Sequence, residues 1–335
     1  MTPRRLRRPS RRDGVLLLAI VTLAFSAVVA TAGPAGAVTP RPTDFRSTVE
    51  SVEPAAPIAV QVIGGDTLLD LRAEPGHAVV VLGYGGEPYL RVQADGTAQV
   101  NQSSPAVSLN RSRDATINSN DGASVDAQPD WRTIGAGGRL IWHDHRIHVQ
   151  DGADFTGELA WEVPITVDDV PTVITGHLDR IDPPSPLPFV LLAGAVAAGV
   201  WLLGRRRPRR TALTTLAVAS LVASVTGYLE WQSLPPSVAR NAGVFLLPVA
   251  AGLAAGLAAV LRSRTPSLVA MLTSVSLLAG WLAFRWSILT RSVLVSDLAP
   301  LVDRVGLTVV LGVVVAAAGL TVQWAGTPDP ARASA

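Results

Sequence analysis

Seven consecutive residues, Trp142-His143-Asp144-His145-Arg146-Ile147-His148, form the densest cluster in this chain of side chains that could bind a metal or move a proton. Three of the five histidines lie here. Read as a β-strand, with side chains alternating between faces, His143 and His145 share a face with Ile141 and Ile147. Trp142, Asp144, Arg146 and His148 then share the other. A His-x-His pair on one face can chelate one zinc or copper ion, because imidazole suits both. The candidate ligands are therefore His143, His145 and His148, with His77 and His177 as more distant donors. Asp144 is a further candidate, which reaches the same face only through a bulge or a turn. Two other readings stay open: histidines packed on a half-buried strand, or an acid–base pair. Asp144 and Arg146, two apart on one face, are expected to form a structural polar pair. An interior strand cannot leave either charge unpaired.

Other reactive constellations are missing. The chain has no cysteine, which removes disulfides, thiolate metal sites and cysteine nucleophiles. It has no G-x-S-x-G, no P-loop and no G-x-G-x-x-G opening a helix. Gly83-Tyr84-Gly85-Gly86 and Gly135-Ala136-Gly137-Gly138 sit at strand ends and read as turns. With no complete catalytic set, no catalytic residue or cofactor-binding residue is assigned and the chain reads as non-enzymatic.

The elements that position the histidine segment are legible from patterning. Residues 1–37 read as a signal peptide or an uncleaved anchor: six arginines, an apolar run over 15–31, then Ala35-Gly36-Ala37 as a cleavage site. Residues 38–181 read as an extracytoplasmic, all-β, sandwich-like domain. Strands are expected at Ile58–Ile63, Leu68–Ala73, 78–82, 89–93, 97–101, 139–149, Glu158–Val167 and 172–181, with 102–130 as a long loop. The prolines of 182–188 form a stiff linker.

The region 189–325 reads as a five-helix transmembrane bundle. Its apolar runs are Leu187–Gly204, 211–229, 244–261, 267–284 and 305–324. Each has 18 to 20 residues and no charge, close to the ~20 needed to cross a bilayer. Residues 326–335 form the tail. All 28 basic residues are arginine. Residues 38–187 carry 10 Arg against 21 Asp and Glu, a net of −11, so nucleic acid is not an expected partner. Arginines clustered at 205–210 and 262–264 place those loops and the C-terminus in the cytoplasm. The 285–304 segment, with Arg285, Arg291, Asp297 and Asp303, is expected to lie along the surface beneath the exported domain.

The segment 89–96 (YLRVQADG), Asn101, Ser104-Pro105, Asn110, Trp131 and the run from Trp142 to His148 together resemble a group of actinobacterial integral membrane proteins. These join an exported domain carrying a WHDHR-x-H segment to a membrane bundle. The resemblance implies that architecture but brings no activity. Where those proteins would have Trp-Met after the last histidine, this chain has Val149-Gln150. A looser, architectural similarity is to bacterial copper-resistance proteins. Their copper domains use a histidine at the mature N-terminus, where cleavage here exposes Val38. The expected function is a non-enzymatic envelope membrane protein whose β domain mediates interaction or assembly, with another envelope protein as partner. The alternatives are a metal-binding, copper-handling protein and a metal-dependent envelope enzyme.

Overall fold

The computed structural model describes residues 38–113, 123–149, 155 and 157–327. The leader expected over 1–37 and most of the tail lie outside them.

The N-terminal region is an antiparallel β-sandwich. One sheet contains β1 (Phe45–Glu53), β4 (Val79–Leu82), β5 (Pro88–Val92), β6 (Ala98–Asn101), β7 (Trp131–Gly135), β9 (Glu158–Val167) and β10 (Val170–Arg180). Its order is β1-β10-β9-β4-β5-β6-β7. The second sheet contains β2 (Ile58–Ile63), β3 (Leu68–Ala73) and β8 (Arg139–Trp142), in that order. One core lies between them. Leu69, Leu71, Leu140 and Trp142 from the smaller sheet meet Val81, Leu90, Trp161, Val163 and Ile165 from the larger. Period-2 burial along β9 and β10 follows from strand alternation, one face apolar and one wet. The β9–β10 hairpin turns at Asp168 and Asp169, both at positive φ, the backbone of a tight two-residue turn.

β1 and β7 had no clear signal in the sequence. β1 reads FRSTVESVE, half polar on an outer edge, and β7 is almost wholly exposed. The excursion over 102–130 contains a short helix, α1 (Ala106–Leu109), and residues 114–122 lie outside the described set.

Five helices follow: α2 (Leu187–Gly204), α3 (Pro208–Ser233), α4 (Gly243–Val260), α5 (Arg264–Phe284) and α6 (Pro300–Gly326). Each is long and apolar enough to cross a membrane. They pack closely where glycine permits. A Cβ on Gly227 of α3 would stand 1.9 Å from the Val244 carbonyl of α4, and one on Gly312 of α6 would stand 2.6 Å from the Ala193 carbonyl of α2. At the end of the bundle away from the β domain, Arg209 donates to the carbonyls of Ala258, Ala259 and Leu261, and Arg264 to those of Trp324 and Ala325. These cations satisfy the open carbonyls at two helix C-termini.

The sandwich is fastened to the opposite end. Thr43 and Val293 exchange backbone hydrogen bonds at 3.0 and 2.9 Å. Asp44 accepts from Arg291 Nη1 at 2.5 Å and from the Ser292 N–H at 3.0 Å. Leu68 packs with Leu234 and Val238 of the α3–α4 loop. The 285–304 segment does not simply lie along the surface: Arg285 and Asp303 are 2% and 1% exposed, inside the bundle.

Candidate metal centre

The strand expected over 139–149 ends at Trp142. β8 is zipped to β3 through Leu69–Trp142 and Leu71–Leu140 pairs, and β3 begins at Leu68. Beyond that point the chain turns. Asp144 caps a single 3₁₀ turn over His145–Ile147, its side chain accepting from the Arg146 N–H at 3.1 Å. An Asp that bonds its own downstream backbone stops a strand in this way. The alternation that set His148 on the opposite face therefore does not apply. The turn brings His143, His145 and His148 together instead.

Ring centroids in this trio are 4.7 to 5.1 Å apart, and one ligand nitrogen from each lies within 4.8 Å of the other two. His143 and His148 are buried and His145 half-buried. Backbone carbonyls face the rings. His143 Nδ1 is 2.6 Å from the Thr67 carbonyl and His145 Nε2 is 2.9 Å from that of Ser112, while His148 stands between two carbonyls, Nε2 3.3 Å from that of Arg113 and Nδ1 3.4 Å from that of Asp144, of which a neutral ring can donate to only one. A neutral imidazole that donates to a carbonyl leaves its other nitrogen as a lone pair. His143 Nε2 is such an atom, buried and without a partner.

The electrostatics favour neutral rings at His143 and His148. Burial lowers His143 to about 4, with the neighbouring His148, His145 and Arg113 adding to the effect. Burial also lowers His148, helped by Arg113. Neutral imidazole is the metal-binding form.

Asp144 does not join the trio as a ligand. It is fully buried and bound to Arg146 through Nε at 2.8 Å and Nη2 at 2.7 Å, and to Trp142 Nε1 at 2.9 Å. Burial alone would raise its carboxyl. The hydrogen bonds and charge of Arg146, with Trp142, outweigh that and hold it below the usual range. Arg146 also donates to the Leu82 carbonyl and stands 4.9 Å over the Tyr84 ring. The polar pair is thus a fixed hub under the histidine turn.

His77 and His177 are elsewhere. His77 Nδ1 meets Asp168 at 2.6 Å and braces the β9–β10 turn. His177 joins a second, more exposed group with Glu50 and Glu158. There both its ring nitrogens already face carboxylates, Glu50 at 2.9 Å and Asp179 at 3.2 Å.

Several supporting residues were not singled out in the sequence. Tyr84 takes the His145 N–H at 2.9 Å and donates to Asn110 Oδ1 at 2.5 Å. Arg113 forms a buried two-point pair with Asp66, at 3.1 and 2.8 Å, which fixes the segment whose carbonyls face the histidines. The one local hint was Asp66 in the β2–β3 turn, a carboxylate that folding buries completely.

Fold and site together define a membrane protein with five candidate spans among the described residues, whose β-sandwich holds a three-histidine cluster. No known protein family, curated protein or solved structure matches the chain.

Proposed function

We propose that this chain is a membrane-anchored metal-binding protein whose β domain takes one zinc or copper ion at His143, His145 and His148. The observation that carries this reading is the buried, partnerless Nε2 of His143 beside two further imidazoles that face backbone carbonyls. Metal-bound histidines are typically oriented this way, with the non-ligating nitrogen donating to a carbonyl. A packing role alone would leave a buried polar atom unsatisfied, at a cost of ~1–3 kcal/mol. Bonds of ~2.0–2.1 Å in tetrahedral geometry place ligand nitrogens about 3.3 Å apart, so an ion would draw the trio inward. Three protein ligands leave a fourth position for an exchangeable group. The half-buried His145 provides the side from which that group could enter.

This reading is preferred to an assembly role because the cluster is specific chemistry, whereas an assembly role rests on no identified surface. The β domain is assigned to the outer face from the leader-like N-terminus and from the arginine-rich loops at the far end of the bundle. The same assignment extends to the actinobacterial membrane proteins that the WHDHR-x-H segment resembles.

The test is metal stoichiometry on the purified full chain, equilibrated separately with zinc and with copper. One ion per chain is expected. Single alanine substitutions of His143, His145 or His148 should weaken binding by more than the ~10–100-fold typical of losing an outer-shell partner. His77→Ala and His177→Ala should leave it unchanged. Absence of bound metal, or binding that survives loss of all three ligands, would sink the proposal. Reporter fusions after Trp231 and Trp286 should read outside, and those after Arg207 and Arg264 inside.

A further inference from the structure

The end of the bundle away from the β domain gathers seven arginines, five over 205–210 and two over 262–264, and neither stretch holds an acid. The tail over 328–335 adds one Asp and one Arg, so the excess stands with it counted. Loop charge of this kind sets orientation in a membrane. Orientation alone requires neither a cavity nor a fixed geometry, and this end of the bundle has both.

A cleft of about 500 Å³ opens between the ends of α3, α4, α5 and α6, lined by Arg209, Arg262, Arg264 and Trp324. Two of its three guanidiniums are each held by one nitrogen. Arg209 gives Nη2 to the carbonyls of Ala258, Ala259 and Leu261, at 2.9, 3.3 and 3.2 Å. Arg264 gives Nη2 to the carbonyls of Trp324 and Ala325 and to Thr327 Oγ1. Both stand against the Trp324 ring, at 5.4 and 5.6 Å. Their Nε and Nη1 groups, and the whole Arg262 head, donate to nothing among the described residues. The first turn of α5 borders the same cleft, and Ser263 caps it without a side-chain hydrogen bond. The positive end of that helix adds to the field of the arginines.

Three cations without an acid in a concave site select an anion. Guanidiniums with donors to spare select an oxyanion such as a phosphate group. The cleft lies at the ends of candidate spans, the level at which lipid headgroups stand. An apolar track leads away from it. Val260 lines the cleft, and Leu257, Leu253, Val249 and Leu246 follow it along α4, all exposed and three or four residues apart on one helix face. A free phosphate would use the arginines alone, whereas a phospholipid uses the arginines and the track. A zwitterionic headgroup would bring its own cation into a site already positive.

We propose that this cleft binds one anionic phospholipid, its phosphate on Arg209, Arg262 and Arg264 and its acyl chains along the exposed face of α4. Arg209 already ties α3 to the end of α4, and Arg264 ties α5 to the end of α6. A phosphate shared between them clasps four helices at once.

Native mass spectra of the full chain in detergent, titrated with phosphatidylglycerol or phosphatidylcholine, test this. One phosphatidylglycerol per chain should be retained at concentrations that load no phosphatidylcholine. Arg262→Gln removes no contact within the described protein and should weaken retention about fivefold, the weight of one arginine beside an anionic lipid. Arg206→Gln, on the neighbouring loop and outside the cleft, should leave retention unchanged. Equal retention of the two lipids would overturn the proposal, as would equal effects of the two substitutions. Displacement of the lipid by inorganic phosphate would overturn it too, by making the cleft a site for a free anion. None of these outcomes touches the histidine cluster, so the two proposals stand or fall separately.

Discussion

The β domain and the helical bundle each bury ionised side chains, but they balance them differently. Under the histidine turn, one carboxylate meets one guanidinium: Asp144 holds Arg146 through two nitrogens and also accepts from Trp142 Nε1 and Tyr84 Oη, while Arg146 Nη1 donates to the Leu82 carbonyl. In the bundle, the carboxylates of Glu230 and Asp303 crowd one nitrogen of Arg285 while its Nε stays unpartnered. A balanced, saturated pair is a fixture. Two carboxylates on one nitrogen leave the other donors of that guanidinium short of acceptors, so the bundle cluster is the less saturated of the two.

The largest effect that would sharpen this contrast comes from Asp144→Ala. It strands the Arg146 guanidinium and the Trp142 N–H, so the β domain should lose about 3–5 kcal/mol in urea unfolding of the full chain. Replacing Arg146 with Met in the same molecule should restore much of that loss. In the bundle the same measurement should split by residue. Arg285→Gln leaves two carboxylates unpaired and should cost about 3–5 kcal/mol, whereas Glu230→Gln should change stability by less than about 1 kcal/mol. An Asp144 substitution as mild as Glu230→Gln would break the comparison.

Acid should act next most strongly, and on the β domain. His143 is lowered to about 4 in the folded chain, against about 6.5 unfolded. Below about 6.5 the unfolded chain takes up the proton first. The stability contributed by neutral His143 is thus complete above that value and drains away as pH falls toward 4. The loss totals about 3 kcal/mol in the metal-free protein. Thermal melts across that window should show the slope, and His143→Gln should flatten it. The smallest effect is expected at His77, whose partner Asp168 is half-exposed. His77→Ala should leave both the melt and metal binding where they were.

The spans were readable because a bilayer demands about twenty apolar residues in a row, and 187–204 or 305–324 meet that condition without reference to any other part of the chain. The central strands were readable for a similar reason. Alternation and a Gly-Gly-Asp-Thr turn specify β2 and β3 locally. β1 and β7 escaped notice because edge strands bury little and so show little pattern. At the site, the residues that carry chemistry stood out by type, and Asp144 and Arg146 were near enough in sequence to suggest a pair.

What the sequence by itself determined is therefore what short-range physics can specify: apolar lengths, alternation, turn residues and the existence of a histidine-rich segment. Its conformation was settled by tertiary contacts. β8 ends where its partner β3 begins, Asp144 then caps a turn, and three imidazoles that alternation would separate come to face one another. The Glu230–Arg285–Asp303 cluster is the extreme case. Its members lie 55 and 18 residues from one another along the chain. Each sits just outside an apolar run, where a lone charge reads as an ordinary helix end. Only packing α3, α5 and α6 side by side puts two carboxylates on one guanidinium, because coupling between buried charges depends on distance in space and on the exclusion of water.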